Sequence, residues 1–419
     1  MAKKVYLCID LKCFFASVEC VERNLDPFKT DLVVADPSRG NGAICLAISP
    51  SLKAKGVKNR CRIFEIPKNI DYIVALPRMK KYIEHSSKIY SIYLKYVSEE
   101  DILVYSIDEC FLDVTHYLKL YKMDEKQLAK MIIDDVYKQT NICATVGIGT
   151  NMFLAKIALD ITAKKSKDFM GYLDEEKFKE EIWHHRPITD IWNIGSGIAN
   201  RLKKYGAFDL YDVAHMDEEI LYKEFGVNAE FLIDHSKGIE PCTIKEVHNY
   251  VRKNNSMSNN QILFEDYKYD DAFLVLKEMV ELNVLELVDK HLVTNSIYLH
   301  VGYSKDVIKP VGASMKLDEY TSSYAKLNEY FITLFKKNVD KNYLIRRIGI
   351  GFGNVVDESY ATYNLFTDIE KEEKERKVQE AIIQIKKKFG KNSILKAMNM
   401  QEKATTRKRN KLIGGHNGE

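Results

Sequence analysis

The feature that most constrains this chain is a pair of adjacent acids, Asp108-Glu109, set inside an otherwise apolar run spanning residues 102–114. A third acid, Asp10, closes a comparable run at residues 5–9. Such runs read as buried strands, and a carboxylate taken out of water is expensive unless it is paired or bound to metal. On residue type alone, Asp108-Glu109 reads as an inert hairpin turn. The strand quality of both runs, and the recurrence of the pattern at Asp10, favour a compensated buried site. Three oxygen ligands with open positions suit Mg²⁺, which keeps waters and takes substrate phosphates as its remaining ligands. Two such ions would clamp the attacking and leaving oxygens of a phosphoryl displacement. Asp113 reads as an ordinary structural acid.

The order of elements around these acids narrows the fold. Strands are expected at 5–9, 32–35, 43–48, 102–107, 110–114 and 142–148, with helices at 14–21, 50–55, 80–97, 126–137 and 151–163. The segment 36–42, Asp-Pro-Ser-Arg-Gly-Asn-Gly, is a dense turn signal. With the insertion between helices 14–21 and 80–97 set aside, this order suits a ferredoxin-like sheet with helices on one face. Residues 171–240 read as short helices broken at glycines, with a linker at 238–241. Beyond residue 250 the texture is α+β: helix 270–288, strand 295–302, helix 322–335 and strand 344–351. A charged helix at 370–389 carries the stripe Val378, Ile382, Ile385 and Phe389. The fold class is therefore multidomain α+β.

Composition enters through where the charge sits. The 419 residues carry 63 Lys+Arg against 60 Asp+Glu, a net charge of +3 that is uninformative about partners. Residues 28–82 hold 11 basic against 4 acidic residues (+7), residues 171–242 hold 8 against 15 (−7), and residues 367–419 hold 14 against 8 (+6). Two basic zones offset by an acidic one suit polyanion binding at particular places. The eight cysteines show no paired spacing, which reads as reduced thiols in a cytoplasmic protein. Neither a membrane span nor a leader is expected.

The segments Ile9-Asp10-Leu11-Lys12-Cys13-Phe14-Phe15-Ala16-Ser17-Val18-Glu19, Tyr105-Ser106-Ile107-Asp108-Glu109-Cys110-Phe111-Leu112-Asp113 and Val146-Gly147-Ile148-Gly149-Thr150-Asn151 with Leu154-Ala155-Lys156 carry a resemblance. In order and separation they resemble the three catalytic motifs of the Y-family translesion DNA polymerases, nearest the bacterial UmuC-like lesion-bypass branch. The resemblance extends over essentially the whole chain. It implies a right hand: palm 1–25 and 79–168, fingers 26–78, a helix-hairpin-helix thumb 169–240, a DNA-binding little finger 243–356 and a basic tail 357–419. It further implies that Asp10, Asp108, Glu109 and the Leu11 carbonyl hold two Mg²⁺ ions. Phe14 and Phe15 would meet the nucleotide, Phe15 as the steric gate beneath the deoxyribose, and Lys156 would contact the triphosphate.

In the fingers the chain departs from the family. Where much of the family has a Tyr and an Arg on the triphosphate, this chain has Ser49 and Lys53, four apart on one helix face. Lys53 neutralises phosphate but cannot offer a guanidinium fork. Ile194-Gly195-Ser196-Gly197, with Arg201 after it, resembles a helix-hairpin-helix whose main-chain N–H groups meet DNA phosphate; a plain helical corner is the alternative. In the tail, Thr362-Tyr363-Asn364-Leu365-Phe366 stands where relatives carry a sliding-clamp peptide, but only Leu365-Phe366 match. Clamp binding and docking of Tyr363, Leu365 and Phe366 on the protein's own body remain equal readings. The implied function is low-fidelity, DNA-directed synthesis across damaged template in an SOS-type response, with primer–template DNA and dNTPs as partners. The alternatives are a catalytically weak DNA-binding or clamp-recruited scaffold and another palm-type nucleotidyl transferase.

Overall fold

The computed structural model describes residues 4–40, 42–251, 255–363 and 367–418. In the N-terminal part, chain order gives β1 (Tyr6–Leu11), α1 (Phe14–Val21), β2 (Leu32–Val34), β3 (Ala47–Ile48), α2 (Pro50–Ala54), β4 (Ile73–Ala75), α3 (Met79–Tyr93), β5 (Ile102–Val104), β6 (Glu109–Asp113), α4 (Tyr117–Tyr121), α5 (Glu125–Thr140), β7 (Ala144–Gly149), α6 (Met152–Ile157) and β8 (Met170–Leu173). The main sheet runs β5-β6-β1-β7-β8, with only β7–β8 parallel.

Alternation along β1 decides which layer each residue meets. Leu7, Ile9 and Leu11 pack with Val18 of α1, Ile89 of α3 and Ile132 of α5. Tyr6 and Cys8 pack instead with Met152, Ala155 and Leu159. The sheet is thus covered on both faces, a correction to the one-sided packing expected from the element order. The second cover is α6, continued by a wide π turn, Ala158–Thr162. It lies very close to the sheet: a Cβ on Gly147 would stand 2.1 Å from the Ala155 carbonyl oxygen, and one on Gly149 2.2 Å from the Ala155 amide nitrogen. Only glycine in β7 permits that approach.

The insertion between α1 and α3 forms its own small sheet, β3-β2-β4, over a core that includes Val33, Cys45, Ile48, Leu52 and Ile66. After β8 come α7 (Glu175–Glu181), α8 (Ser196–Lys203), α9 (Leu210–Ala214), α10 (Glu218–Phe225), α11 (Ala229–Ser236) and α12 (Ile244–Asn249). Phe178, Ile194, Leu202, Val213 and Leu232 close their core against Phe153 and Ile157 of α6. The first compact unit extends to Tyr250, beyond the expected linker, because Ile244 buries beside Tyr6 and Phe111.

The second unit, Val251–Gly418, holds β9 (Met257–Tyr267), α13 (Tyr269–Asp289), β10 (Leu292–Tyr303), β11 (Val311–Thr321), α14 (Tyr324–Asn338) and β12 (Ile345–Gly353). Its antiparallel sheet runs β11-β10-β12-β9, and Val280, Phe331 and Phe335 of the two helices pack on one face with Ile297, Leu299 and Ile348. β13 (Val356–Asp357) pairs with the start of β10. The charged helix α15 (Ile369–Phe389) docks on α13 through Ile382 and Ile383 against Leu285 and Val288. The expected stripe is corrected by one position, since Val378 and Phe389 are exposed. No helix among the described residues is long and apolar enough to cross a membrane.

Candidate active site

The strand alternation that sends Leu7 and Ile9 into the core sends Asp10 to the α6 side, with Cys8. Asp10 pairs in register with Glu109 of β6, and Glu109 shares its face with Phe111, which packs in the α6 layer. Asp108 lies one residue before β6, where its carbonyl accepts the Leu11 N–H at 2.9 Å. The Asp108 carboxylate accepts from the Ser106 hydroxyl at 2.6 Å. Asp10, Leu11, Asp108 and Glu109 therefore converge at one end of two neighbouring strands, with the hairpin tightened by Tyr105 and Ser106 N–H groups on the Glu109 carbonyl.

The compensating charge comes from the helix that the β7 glycines admit. Lys156 Nζ stands 2.8 Å from Glu109 Oε1 and 3.0 Å from Asp160 Oδ2. The Cys8 thiol donates to Glu109 Oε1 at 3.2 Å. Burial opposes the Lys156 charge, but Cys8, Glu109 and Asp160 outweigh it and hold its pKa above the ordinary value. Lys164 Nζ is 2.7 Å from Asp160 Oδ1 and 3.9 Å from Asp10 Oδ2. The two lysines differ in access: the Lys156 side chain is 9% exposed and that of Lys164 43%. Lys156, expected on the triphosphate, is thus enclosed among the acids, while Lys164 faces solvent.

Among the described residues, no three His, Cys, Asp or Glu side chains stand in an arrangement that could hold a metal ion. The donor chemistry nevertheless fits a hard divalent cation, because every candidate ligand is oxygen. Burial pushes the Asp10 carboxyl up to about 7; Lys164 opposes the rise, and the neighbouring Asp108 and Glu109 charges add to it. Like charges forced together in this way are relieved by a cation placed between them.

The aromatic pair after β1 divides its work. The Phe14 side chain is buried in the core, so the expected nucleotide contact by that ring is corrected. The Phe14 main-chain N–H lies in the first turn of α1, where helix amides lack intrahelical acceptors. Phe15 is half-buried and lies flat on Tyr82 of α3, ring centroids 4.5 Å apart and planes at 18°. The Tyr82 hydroxyl donates to Glu19 at 2.7 Å, and Arg78 donates two hydrogen bonds to the same carboxylate at 3.0 and 2.8 Å. Burial pushes the fully enclosed Glu19 carboxyl up, but donation by Arg78, Arg23 and Tyr82 prevails and leaves it below the ordinary range.

Ser49 is corrected as a triphosphate donor. It is fully buried, and its oxygen accepts from the Leu32 and Leu52 N–H groups at 3.1 and 3.3 Å, capping α2. Lys53 is exposed on α2. Its charge reaches the turn between β1 and α1, where burial pushes the Cys13 thiol up and Lys53 works against that rise.

In the helical region, Gly195 caps α8 and, like Gly197, has open space where a Cβ would point. Main chain is therefore accessible at the start of α8. Ile194 is a core residue, so a DNA contact by its side chain is corrected. Arg201 donates to the Glu224 carbonyl at 2.7 Å and stands 4.1 Å over the Phe225 ring, tying α8 to α10, while 41% of its side chain stays exposed. Tyr363 is exposed, and Thr362 is held by Tyr320 of β11. Leu365 and Phe366 lie outside the described residues.

Asp160, Lys164, Tyr82 and Cys8 belong to this site and were missed from sequence. Lys156, Asp160 and Lys164 recur every four residues, a helix-face signal that was readable. The Tyr82–Phe15 stack had no sequence signal, because 66 residues and an inserted sheet separate the two rings.

Residues 9–160 match the model of the impB/mucB/samB family, and residues 254–365 match that family's C-terminal domain. The chain is 31% identical over 417 residues to the putative UV-damage repair protein UvrX of Bacillus subtilis (strain 168), covering 99% of this chain and 98% of that protein. It is 29% identical over 424 residues to DNA polymerase IV 2 of the same organism, covering 99% of each. Among solved structures, the Y-family DNA polymerase chimera Dbh-Dpo4(243-245)-Dbh superposes with a TM-score of 0.64 at 22% identity, over 84% of this chain and 99% of the chimera.

Proposed function

The chain belongs to the impB/mucB/samB family of Y-family DNA polymerases, and from that premise we propose a low-fidelity translesion enzyme whose chemistry sits on Asp10, Asp108 and Glu109. The observation that carries this reading is the convergence of three acids and two lysines at the end of β1 and β6. Asp10, Asp108, Glu109 and the Leu11 carbonyl would hold two Mg²⁺ ions, which when bound neutralise the triphosphate and lower the pKa of the primer 3′-hydroxyl. The Asp10 and Asp108 carboxylates orient the reacting ends from their places at the end of β1 and just before β6. Lys156 holds Glu109 in its rotamer, and Lys164 and Lys53 supply positive charge toward the triphosphate. The N–H groups at the start of α1 add donors for phosphate oxygens. Phe15, held flat by Tyr82, excludes a ribose 2′-hydroxyl.

Residues 1–25 and 79–168 act in this reading as the palm and 26–78 as small fingers. Their sheet is three short strands, which leaves little bulk to test the shape of a base pair. Residues 169–240 form a thumb that meets DNA phosphate through the main chain at Gly195 and Gly197. Residues 243–356 form a little finger. The sheet face opposite α13 and α14 is its DNA side, and Gly349, Gly351, Ser314 and Ser258 keep that face low. The enzyme would serve damage tolerance of the SOS type in the cytoplasm, with clamp recruitment through Tyr363, Leu365 and Phe366.

Primer extension with Mg²⁺ on undamaged and abasic templates tests this. Wild type is expected to extend both and Asp108→Ala neither; equal extension by the two proteins sinks the catalytic assignment and leaves a DNA-binding scaffold.

A further inference from the structure

The residues after α15 are not a loose basic tail but a folded element, and we infer that they form a second docking surface for the DNA phosphate backbone, an inference that rests on the polymerase reading. The element lies beyond the part of the chain matched by the family's C-terminal domain, which ends at residue 365. It is anchored by Glu278 of α13, a fully buried carboxylate. Glu278 accepts from the Asn399 side-chain amide at 2.9 Å, the Thr405 N–H at 2.7 Å, the Thr405 hydroxyl at 3.2 Å and the Thr406 N–H at 3.3 Å. Hydrogen bonds to an ionised acceptor are the strong ones, and four of them pin the segment to α13. Asn392 and Asn410 then close it on itself, through the Arg407 and Lys391 carbonyls at 3.1 and 3.2 Å.

The anchored segment arranges its cations rather than neutralising them. Lys396 and Lys403 pair with Glu281 and Glu265. Among the described residues no ion pair forms at Arg407, Lys408, Arg409 or Lys411, and burial lowers the Arg409 pKa with no acid opposing it. Arg407, Lys408 and Lys411 line a hollow of about 520 Å³ with Asn392 and Gln401, Glu402 standing in its wall. Guanidinium, ammonium and amide donors in one concavity match phosphate oxygens and carry no base-reading geometry. Lys408 also stands 5.5 Å over the Phe264 ring, 40% exposed on the edge strand β9. A cation beside an exposed aromatic is the pairing that nucleic-acid grooves use.

The test is anisotropy of a labelled primer–template across a salt series, comparing wild type with an Arg407→Gln/Lys408→Gln/Lys411→Gln variant. The variant is expected to lose about tenfold in affinity and to flatten the salt slope by about 2 to 3, with incorporation at saturating DNA unchanged. Unchanged affinity and slope would overturn the inference, as would loss of binding to polyglutamate with DNA binding intact. Melting should match wild type because the three side chains are exposed; if it does not, Lys408→Glu alone carries the same test and the same outcomes. Asp108→Asn should bind with the wild-type slope yet fail to extend. A wild-type protein that neither binds nor extends primer–template would instead remove the polymerase reading, a result distinct from a triple variant indistinguishable from an active wild type.

Discussion

Two regions of this molecule bury carboxylates, and they do so in opposite ways. In the second unit, Glu278 is met by main-chain, hydroxyl and amide donors from Asn399, Thr405 and Thr406. In the first unit, Asp10, Asp108 and Glu109 are gathered beside one another, and the answer to their charge is two lysines, a thiol and a hydroxyl. Glu278 is complete as it is and can only hold structure. The gathered acids repel one another, which burial at Asp10 makes worse, and that arrangement gains from a cation. The contrast separates a structural acid from a functional one without appeal to motif.

The widest separation is expected at Asp10. Asp10→Asn should lower single-nucleotide incorporation by roughly 10³-fold or more, while its melting temperature in chelator stays at or above wild type, since a repulsive charge is removed. A variant that lost stability along with activity would erase the distinction between the two regions. Glu278→Ala should behave the other way. It strands several buried donors and should cost about 3 kcal/mol in urea unfolding, with incorporation per folded molecule at saturating DNA unchanged.

Glu19 is a third case, a buried acid matched by Arg78, Arg23 and Tyr82, and it sharpens the comparison because Phe15 rests on it through Tyr82. Phe15→Ala should relax discrimination against ribonucleotides by about 10²-fold. Tyr82→Leu, which removes the supporting ring and not the gate, should relax it by about tenfold or less. Equal effects would mean that discrimination resides in the Phe15–Tyr82 stack as a unit and not in the Phe15 ring alone. The smallest effect is in acid. The folded-state pKa of Glu19 lies below the unfolded one, so its contribution is complete above the ordinary glutamate value and is lost as pH falls through the lowered one. Glu19→Gln should flatten that part of the stability–pH curve; an unchanged curve would remove Glu19 from the paired class.

How far the sequence alone disclosed this arrangement follows from the same physics. Helix α1 and the central strands β1, β6, β7, β10 and β12 were legible because their apolar runs are buried. β9 and β11 were not, since each is an edge strand whose residues alternate between core and solvent and include a polar stretch such as Ser258-Asn259-Asn260. β4 and β8 are three and four residues long and only partly buried, whereas β2, just as short, is buried throughout and was legible. In the site, the acids announced themselves by being costly where they stood. Ser49 misled because a hydroxyl four residues from a lysine looks like a ligand pair, whereas its position before Pro50 makes it a helix cap. The tail's charge was legible and its fold was not, because Glu278 lies more than a hundred residues away in sequence.

The central claim is that the acids at the end of β1 and β6 work through a bound divalent cation. Single-turnover incorporation of one matched nucleotide, titrated with Mg²⁺ for wild type and Asp108→Asn at equal melting temperature, tests it most directly. Wild type should rise saturably from no incorporation in chelator, and Asp108→Asn should stay flat across the titration. Incorporation by Asp108→Asn at the wild-type rate, or by wild type in chelator, would contradict the account.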